Sequence, residues 1–231
     1  MPRVVVLGTG TGVGKTYVTA LLTRALSKRS AALALKPVET GVQRMRTTDA
    51  ATLAAESNAG CPTRHALYEF PAPVSPHLAA RFEGMRISIA RIANWVVARA
   101  HDMTLHDVAL WTLVETAGGA LSPLSKGKTN LDLAVALDPA IWILVAPDAL
   151  GVLHDVQAAL IAFRALARPP DFVVLSAARG RDPSTGTNAA ELGRLGIIRP
   201  AACFGRDRSP AQIETLVDAL SRHPLARPRS R

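Results

Sequence analysis

A glycine-rich loop near the start of the chain carries residue types suited to binding phosphate. The apolar run 4–7 leads into Gly8-Thr9-Gly10-Thr11-Gly12-Val13-Gly14-Lys15-Thr16, and a helical pattern follows over residues 17–28. Glycines let backbone N–H groups converge on an anion, while a lysine and a hydroxyl at the helix start suit phosphate and Mg2+. The sequence therefore predicts a nucleotide-binding P-loop, although Gly8 and Gly14 are separated by five residues and not the usual four.

Three more charged residues stand where a parallel sheet would bring them together. Lys36 and Glu115 each follow an apolar run, and Asp49 opens a helix-forming segment. Ligands of α/β sheets bind beyond the carboxyl ends of the strands, and carboxylates are suitable ligands for Mg2+. Taken singly, Lys36 or Glu115 could be a solvated strand-end charge and Asp49 a helix N-cap. Their convergence with Lys15 and Thr16 favours a nucleotide and metal site.

The elements that would position these residues alternate between strand and helix. Strands are predicted at 4–7, 31–35, 108–114, 140–146 and 171–176, and helices at 17–28, 49–56, 75–81, 87–101, 152–166, 188–195 and 211–220. This order predicts an α/β fold of the P-loop NTPase type, with three α/β/α layers and a mostly parallel sheet. We expect a single domain over residues 1–221, followed by a disordered basic tail over residues 222–231.

Composition excludes several classes of protein. The 231 residues are 48% apolar, yet no apolar run is long enough to span a bilayer and no signal peptide is visible, so we expect a cytoplasmic protein without membrane contacts. Cys61 and Cys203 are too few for a disulfide framework or a metal cluster. The net charge of +9 suggests nucleic acid, but the arginines are scattered and concentrated in the tail, so no nucleic-acid partner is expected.

Four segments together resemble one enzyme family, the dethiobiotin synthetases. They are the loop 8–16, Lys36-Pro37-Val38-Glu39-Thr40-Gly41, Ser75-Pro76-His77-Leu78 and Val114-Glu115-Thr116-Ala117-Gly118-Gly119. The five-residue spacing in the loop is that family's form. The resemblance is good over residues 4–160 and weak beyond them.

The resemblance implies an ATP- and Mg2+-dependent cyclo-ligase of biotin biosynthesis. Such an enzyme converts 7,8-diaminononanoate and CO2 into dethiobiotin through a carbamate and a mixed carbamic-phosphoric anhydride. It also implies a homodimer with substrate bound near the subunit interface.

The resemblance assigns roles residue by residue. Lys15 and Lys36 would be catalytic, and Thr16, Asp49 and Glu115 would hold Mg2+. The substrate-binding set is Thr11, Thr40, Gly118, Leu150 and Gly151. The nucleotide-binding set is Gly12, Val13, Gly14, Lys15, Thr16, Tyr17, Asp49, Glu115, Thr116, Ala117, Gly118, Ser176, Phe204, Gly205 and Arg206.

Departures from the family pattern concern mainly the base of the nucleotide. Ser176-Ala177 replaces an Asn-Asp-like pair, and Phe204-Gly205-Arg206 replaces a Pro-Trp-like segment. A serine has a single hydroxyl, whereas the side-chain amide of asparagine presents a separate donor and acceptor to a base. We therefore expect this protein to discriminate less strictly between ATP and other nucleotides.

Two other functions remain open on the sequence. One is a partition-type or regulatory ATPase that uses nucleotide as a switch, although Lys36-Pro37 stands where such proteins usually place an aspartate. The other is a related amidoligase, against which Ser75-Pro76-His77 argues.

Overall fold

A six-stranded parallel sheet forms the centre of the molecule. The computed structural model describes residues 2–43, 47–59, 62–101, 110–176, 181–205 and 210–226. The strands of this sheet are β1 (Arg3–Gly8), β2 (Ala31–Leu35), β5 (Leu110–Glu115), β8 (Ile141–Pro147), β9 (Phe172–Ser176) and β10 (Ala202–Phe204), in the order β10-β9-β8-β1-β5-β2. All five strand pairings are parallel. The remaining strands form two small pairs, β3 (Val38–Thr40) with β4 (Tyr68–Phe70), and β6 (Pro123–Ser125) with β7 (Lys128–Thr129).

Helices cover both faces of the sheet. They are α1 (Lys15–Ser27), α2 (Asp49–Glu56), α3 (Pro76–Phe82), α4 (Ile89–His101), α5 (Asn130–Ala136), α6 (Val152–Leu166), α7 (Asn188–Arg194) and α8 (Pro210–Arg222). The three-layer α/β/α fold with a mostly parallel sheet is therefore confirmed. No helix within the described ranges is long and apolar enough to cross a membrane.

The alternation of side chains along each strand divides the core between the two faces. On β1, Val4 and Val6 belong to a cluster with apolar residues of α1 and α8, whereas Val5 and Leu7 belong to one with residues of α4, α5 and α6. All four valine and leucine side chains are fully buried. Burying one such side chain contributes about 1.5–3 kcal/mol, so both layers hold the central strand in place.

The end of the chain differs from the expected disordered tail. Helix α8 continues through Arg222, residues 224–226 form a 3-10 turn, and Ala226 packs against the α1–α8 core cluster. Residues 222–226 of the predicted tail therefore have defined structure, because an apolar contact anchors them to the domain. Residues 227–231 lie outside the described part of the chain.

Candidate active site

The glycine-rich loop joins β1 to α1 and wraps around the side chain of Lys15. Gly12 and Gly14 have φ angles of 67° and 95°, in the left-handed region that favours glycine. The Nζ of Lys15 donates a hydrogen bond to the carbonyl oxygen of Gly10 at 2.9 Å. A Cβ atom on Gly8 would lie 3.0 Å from that Nζ, so the glycine lets the lysine fold back over the loop.

Strand parity explains why Lys36 and Glu115 meet at one face of the sheet edge. Leu113 of β5 and Ala34 of β2 pack in the cluster on the α1 side of the sheet. Glu115 and Lys36 each come two residues later, and successive strand residues alternate between faces. Both side chains therefore point towards the side where α1 and α2 begin.

An ion-pair network of two buried residues, Lys36 and Glu115, and the partly exposed Asp49 connects these elements. The Nζ of Lys36 lies 2.5 Å from Oε1 of Glu115 and 3.0 Å from Oδ2 of Asp49, and the Thr16 hydroxyl donates to the same Glu115 oxygen at 2.8 Å. Lys36 is 5% exposed and Glu115 is fully buried. Buried charges are tolerated only where partners compensate their lost hydration, and here each charge has such a partner.

The network keeps Lys36 and Asp49 charged. Burial disfavours the Lys36 ammonium, but the charges of Glu115 and Asp49 outweigh this and raise its pKa above the usual value. Burial likewise disfavours the Asp49 carboxylate, but the Lys36 charge outweighs it and lowers the pKa of Asp49. The Lys36 ammonium therefore lies between the carboxyl groups of Glu115 and Asp49, on the same cavity as Lys15.

The oxygen atoms of this network fit a divalent cation. The Oε2 atom of Glu115 is buried and accepts no hydrogen bond from any described residue, and Asp49 and Thr16 supply a carboxylate and a hydroxyl nearby. Within the described ranges no group of three or more His, Cys, Asp or Glu residues is arranged to hold a metal. Nucleotide phosphates and water would therefore have to complete the coordination, as is usual for Mg2+.

A cavity of about 320 Å3 brings most of the predicted site residues together. It is lined by Thr11, Gly12, Gly14, Lys15, Thr16, Tyr17, Lys36, Glu39, Thr40, Asp49, Glu115, Ala117 and Gly118. All the residues predicted to be catalytic or to hold metal line this one cavity, together with three of the five predicted substrate-binding residues. The cavity is lined by several charged side chains and lies at the carboxyl ends of the strands, where a phosphorylated ligand is expected.

Three predicted nucleotide-binding residues have side chains that serve the fold. Val13 and Phe204 are buried in the core cluster on the α1 side. The Thr116 hydroxyl donates to the carbonyl oxygen of Val6 at 3.0 Å. These side chains are occupied within the fold, so the predicted nucleotide contacts of these three residues would have to be made by their backbone groups.

The predicted base-binding residues lie outside this cavity, at the ends of β9 and β10. Ser176 is buried, and its hydroxyl has no hydrogen-bond partner among the described residues. Gly205 is connected to the first turn of α1, because the Tyr17 hydroxyl donates to its carbonyl oxygen at 2.8 Å. Arg206 lies outside the described residues.

Leu150 and Gly151 form the turn between β8 and α6, also outside the cavity. Leu150 is 86% exposed, and its N–H donates to Oδ2 of Asp182 at 2.9 Å. The turn rests on a second network, in which buried Asp148 accepts from the side-chain amide of Asn188 at 2.7 Å. These hydrogen bonds fix a turn on which the apolar side chain of Leu150 is exposed to solvent.

Two positioning residues were missed by the sequence reasoning. Buried Asn130 donates through Nδ2 to the carbonyl oxygens of Ala117 at 2.5 Å and Gly119 at 2.8 Å, which fixes the loop after β5. Its signal was the capping box at Thr129, which marks the start of α5. Glu39 accepts from the backbone N–H groups of the first residues of α2, and no sequence pattern indicates this bond. Burial, opposed by those hydrogen bonds, raises the pKa of Glu39.

Comparison with known sequences identifies the family. A family model described as an AAA domain matches residues 2–204. A curated ATP-dependent dethiobiotin synthetase of Anaeromyxobacter sp. (strain Fw109-5) is 37% identical over 210 residues, which cover 90% of this chain and 91% of the relative. Another, from Caulobacter sp. (strain K31), is 42% identical over 169 residues, or 71% of either chain.

Comparison with solved structures supports the fold. A ParA family ATPase from Chlorobium tepidum TLS superimposes with a TM-score of 0.54 at 11% identity, covering 97% of this chain and 94% of the other. A putative plasmid partition protein from Borrelia burgdorferi B31, bound to AMPPNP, gives the same TM-score and identity with 95% and 97% covered. At such low identity the likeness concerns the fold alone, whereas the curated relatives share sequence along most of the chain. The chain therefore belongs to the ATP-dependent dethiobiotin synthetase family, as its four sequence segments predicted.

Proposed function

We propose that this protein is a cyclo-ligase that forms the ureido ring of dethiobiotin from 7,8-diaminononanoate, CO2 and ATP in biotin biosynthesis. The observation that carries the proposal is the Lys36–Glu115–Asp49 network beside the Lys15 loop. Together with Lys15 it places two lysines and two carboxyl groups around one small cavity, which suits transfer of a phosphoryl group to an anionic acceptor. The family membership supports the identity of the substrates.

The reaction requires three bond-forming steps. One amine of the substrate adds to CO2 and loses a proton, which gives a carbamate. A carbamate oxygen attacks the γ-phosphorus, and ADP leaves. The second amine then attacks the carbamoyl carbon, loses a proton and expels phosphate, which closes the ring.

Phosphoryl transfer to the carbamate brings several negative charges together, so positioning and charge neutralisation should carry most of the catalysis of that step. Lys15 would neutralise the phosphates, and Lys36, which is held charged, would face the carbamate and the transferred phosphoryl group. Thr11, Thr40 and Gly118 line the same cavity and would orient the diamine or its carbamate. Thr16, Asp49 and Glu115 would hold Mg2+, which when bound supplies further neutralisation of phosphate charge.

The proposal also includes a homodimer in which Leu150 and Gly151 of one subunit complete the substrate site of the other. Supporting it are the exposed position of Leu150 and the hydrogen bonds that hold its turn rigid. Both residues lie at the carboxyl end of β8, the same edge of the sheet as the phosphate loop.

The direct test is incubation of the protein with 7,8-diaminononanoate, bicarbonate, MgCl2 and ATP, followed by detection of dethiobiotin by mass spectrometry. We expect one ADP and one phosphate for each dethiobiotin formed, and no product when the diamine is omitted. Absence of product from a folded sample that binds ATP would refute the proposal. ATP hydrolysis stimulated by DNA, without dethiobiotin, would favour the partition-type ATPase instead.

A further inference from the structure

The start of helix α2 is held by a carboxylate that belongs to another element. Oε1 of Glu39 accepts from the backbone N–H of Asp49 at 2.6 Å, and Oε2 accepts from the N–H of Ala50 at 3.1 Å. Glu39 is the central residue of β3, ten positions earlier in the chain, and it is 8% exposed. Both oxygens of a buried carboxylate are therefore committed to the first two N–H groups of one helix.

The short segment 36–39 binds both the backbone and the side chain of Asp49. Its backbone N–H is bound by Glu39, and its carboxylate lies 3.0 Å from Nζ of Lys36, three residues before Glu39. The segment 36–39 thus fixes both the position of the α2 N-terminus and the direction of the Asp49 side chain. Asp49 and Glu39 line the same cavity.

Ordinary helix capping does not account for this arrangement. Helix α2 already has a conventional N-cap, because the Thr48 side chain accepts from the N–H of Ala51 at 3.1 Å. The bonds from Glu39 add a connection between the helix and β3, the strand that begins two residues after Lys36. Their distinctive consequence is the position of Asp49.

We propose that Glu39 is a positioning residue that sets the Asp49 carboxylate for metal binding by holding the backbone at the start of α2. The inference rests on the proposed role of Asp49 as a Mg2+ ligand. Outer partners of metal ligands of this kind typically control affinity for the metal by 10–100-fold. Glu39 would act through Asp49 and would itself hold no metal.

The first test compares Glu39→Gln with Thr48→Ala. The glutamine keeps one acceptor but turns an N–H2 group towards the other backbone N–H, whereas Thr48→Ala removes a cap of the same helix without touching the N–H of Asp49. We expect Glu39→Gln to raise the Mg2+ concentration for half-maximal activity about tenfold, and Thr48→Ala to leave it within about twofold of wild type. Equal effects of the two variants, or no effect of Glu39→Gln, would overturn the inference. If Glu39→Gln does not fold, the shorter Glu39→Asp is measured in its place with the same expectation.

The second test shows whether Glu39 acts through Asp49. In a double-mutant cycle, Glu39→Gln should have little further effect on the Mg2+ requirement once Asp49→Asn is present, whereas independent effects would add. The readout is Mg2+-dependent ATP binding by calorimetry, which does not require ligase activity. A wild-type protein that binds MgATP and makes no dethiobiotin would refute the proposed function and leave the Glu39 inference measurable. Additive effects in the cycle would refute the inference and leave the proposed function intact.

Discussion

The ammonium group of Lys36 lies 2.5 Å from the Glu115 carboxylate, and both side chains are almost completely removed from water. Lys36 directly follows β2, and Glu115 is the last residue of β5. These two parallel strands are neighbours in the sheet. The pairing therefore depends on the sheet register. Replacing either residue by an uncharged one would leave the charge of the other less well compensated.

Replacing Lys36 should separate catalysis from nucleotide binding. Lys36→Ala removes the cation proposed to face the carbamate, so we expect turnover to fall by at least about 10²–10³-fold, the range for removal of one charge-stabilising group. ATP affinity should change little, because Lys15 and the loop backbone remain. Steady-state rates and calorimetry measure the two effects.

The matched control for Lys36 is Lys28→Ala, which removes an exposed lysine at the end of α1. It should behave as wild type in both measurements. Normal turnover of a folded Lys36→Ala protein would remove Lys36 from the mechanism.

Much of the site was predictable because its residues follow strands. The phosphate loop, Lys36 and Glu115 come directly after apolar runs, and a parallel sheet gathers such positions at one edge. Strand parity also predicts that Thr116 lies on the opposite face from Glu115. Glu39 and Asn130 were not predictable in this way, because their partners are backbone groups distant in the chain. The three-residue strands β3 and β4 are likewise too short to show a periodic pattern.

The capping box at the start of α5 should contribute stability that depends on pH. Burial works against the Asp132 carboxylate, but hydrogen bonds from Thr129 and Lys128 outweigh it and lower its pKa. A lowered pKa means that the stabilisation is fully present above the unfolded value of about 3.9 and is lost as the pH falls through the folded value. Urea unfolding of wild type and Asp132→Asn should therefore differ most near neutral pH, and the difference should shrink as the pH falls below about 3.9. A difference that stays constant down to the lowest pH at which both proteins fold would contradict the assignment.

Thr129 forms the other half of the same box, and its hydroxyl also donates to Oδ2 of Asp132 at 2.9 Å, so part of its contribution depends on the Asp132 charge. The Thr129 hydroxyl is uncharged and accepts from the N–H of Asp132 at 3.5 Å. Thr129→Ala should lower the free energy of unfolding by about 0.5–2 kcal/mol, the range for removing an N-cap side chain. Because α5 begins with Asn130, which holds the loop after β5, we expect turnover to fall with stability in this variant.

The buried hydroxyl of Ser176 should give a weak preference among nucleotide bases. A site that discriminates strongly does so with paired donors and acceptors, and such pairing can reject a wrong ligand by about 10⁴-fold or more. With a single hydroxyl we expect kcat/KM for ATP to exceed that for CTP or GTP by less than about a hundredfold, well below that range. Ser176→Asn should increase the preference for ATP. A wild-type preference above that limit would show that other groups recognise adenine.

Leu150 should contribute to both dimer formation and catalysis. Its side chain is 86% exposed at the carboxyl end of β8, on a turn fixed by Asp182, so a charge there would stand in the proposed subunit interface. Leu150→Asp should weaken the dimer by about 2 kcal/mol or more, as for the central residues of other interfaces, and should lower turnover with ATP binding retained. Light scattering coupled to size-exclusion chromatography measures the first effect.

Leu166→Asp is the matched control, because Leu166 is an equally apolar, 66% exposed residue at the opposite end of α6. If both variants remain dimeric and active, Leu150 lies outside the interface, and the substrate site is complete within one subunit.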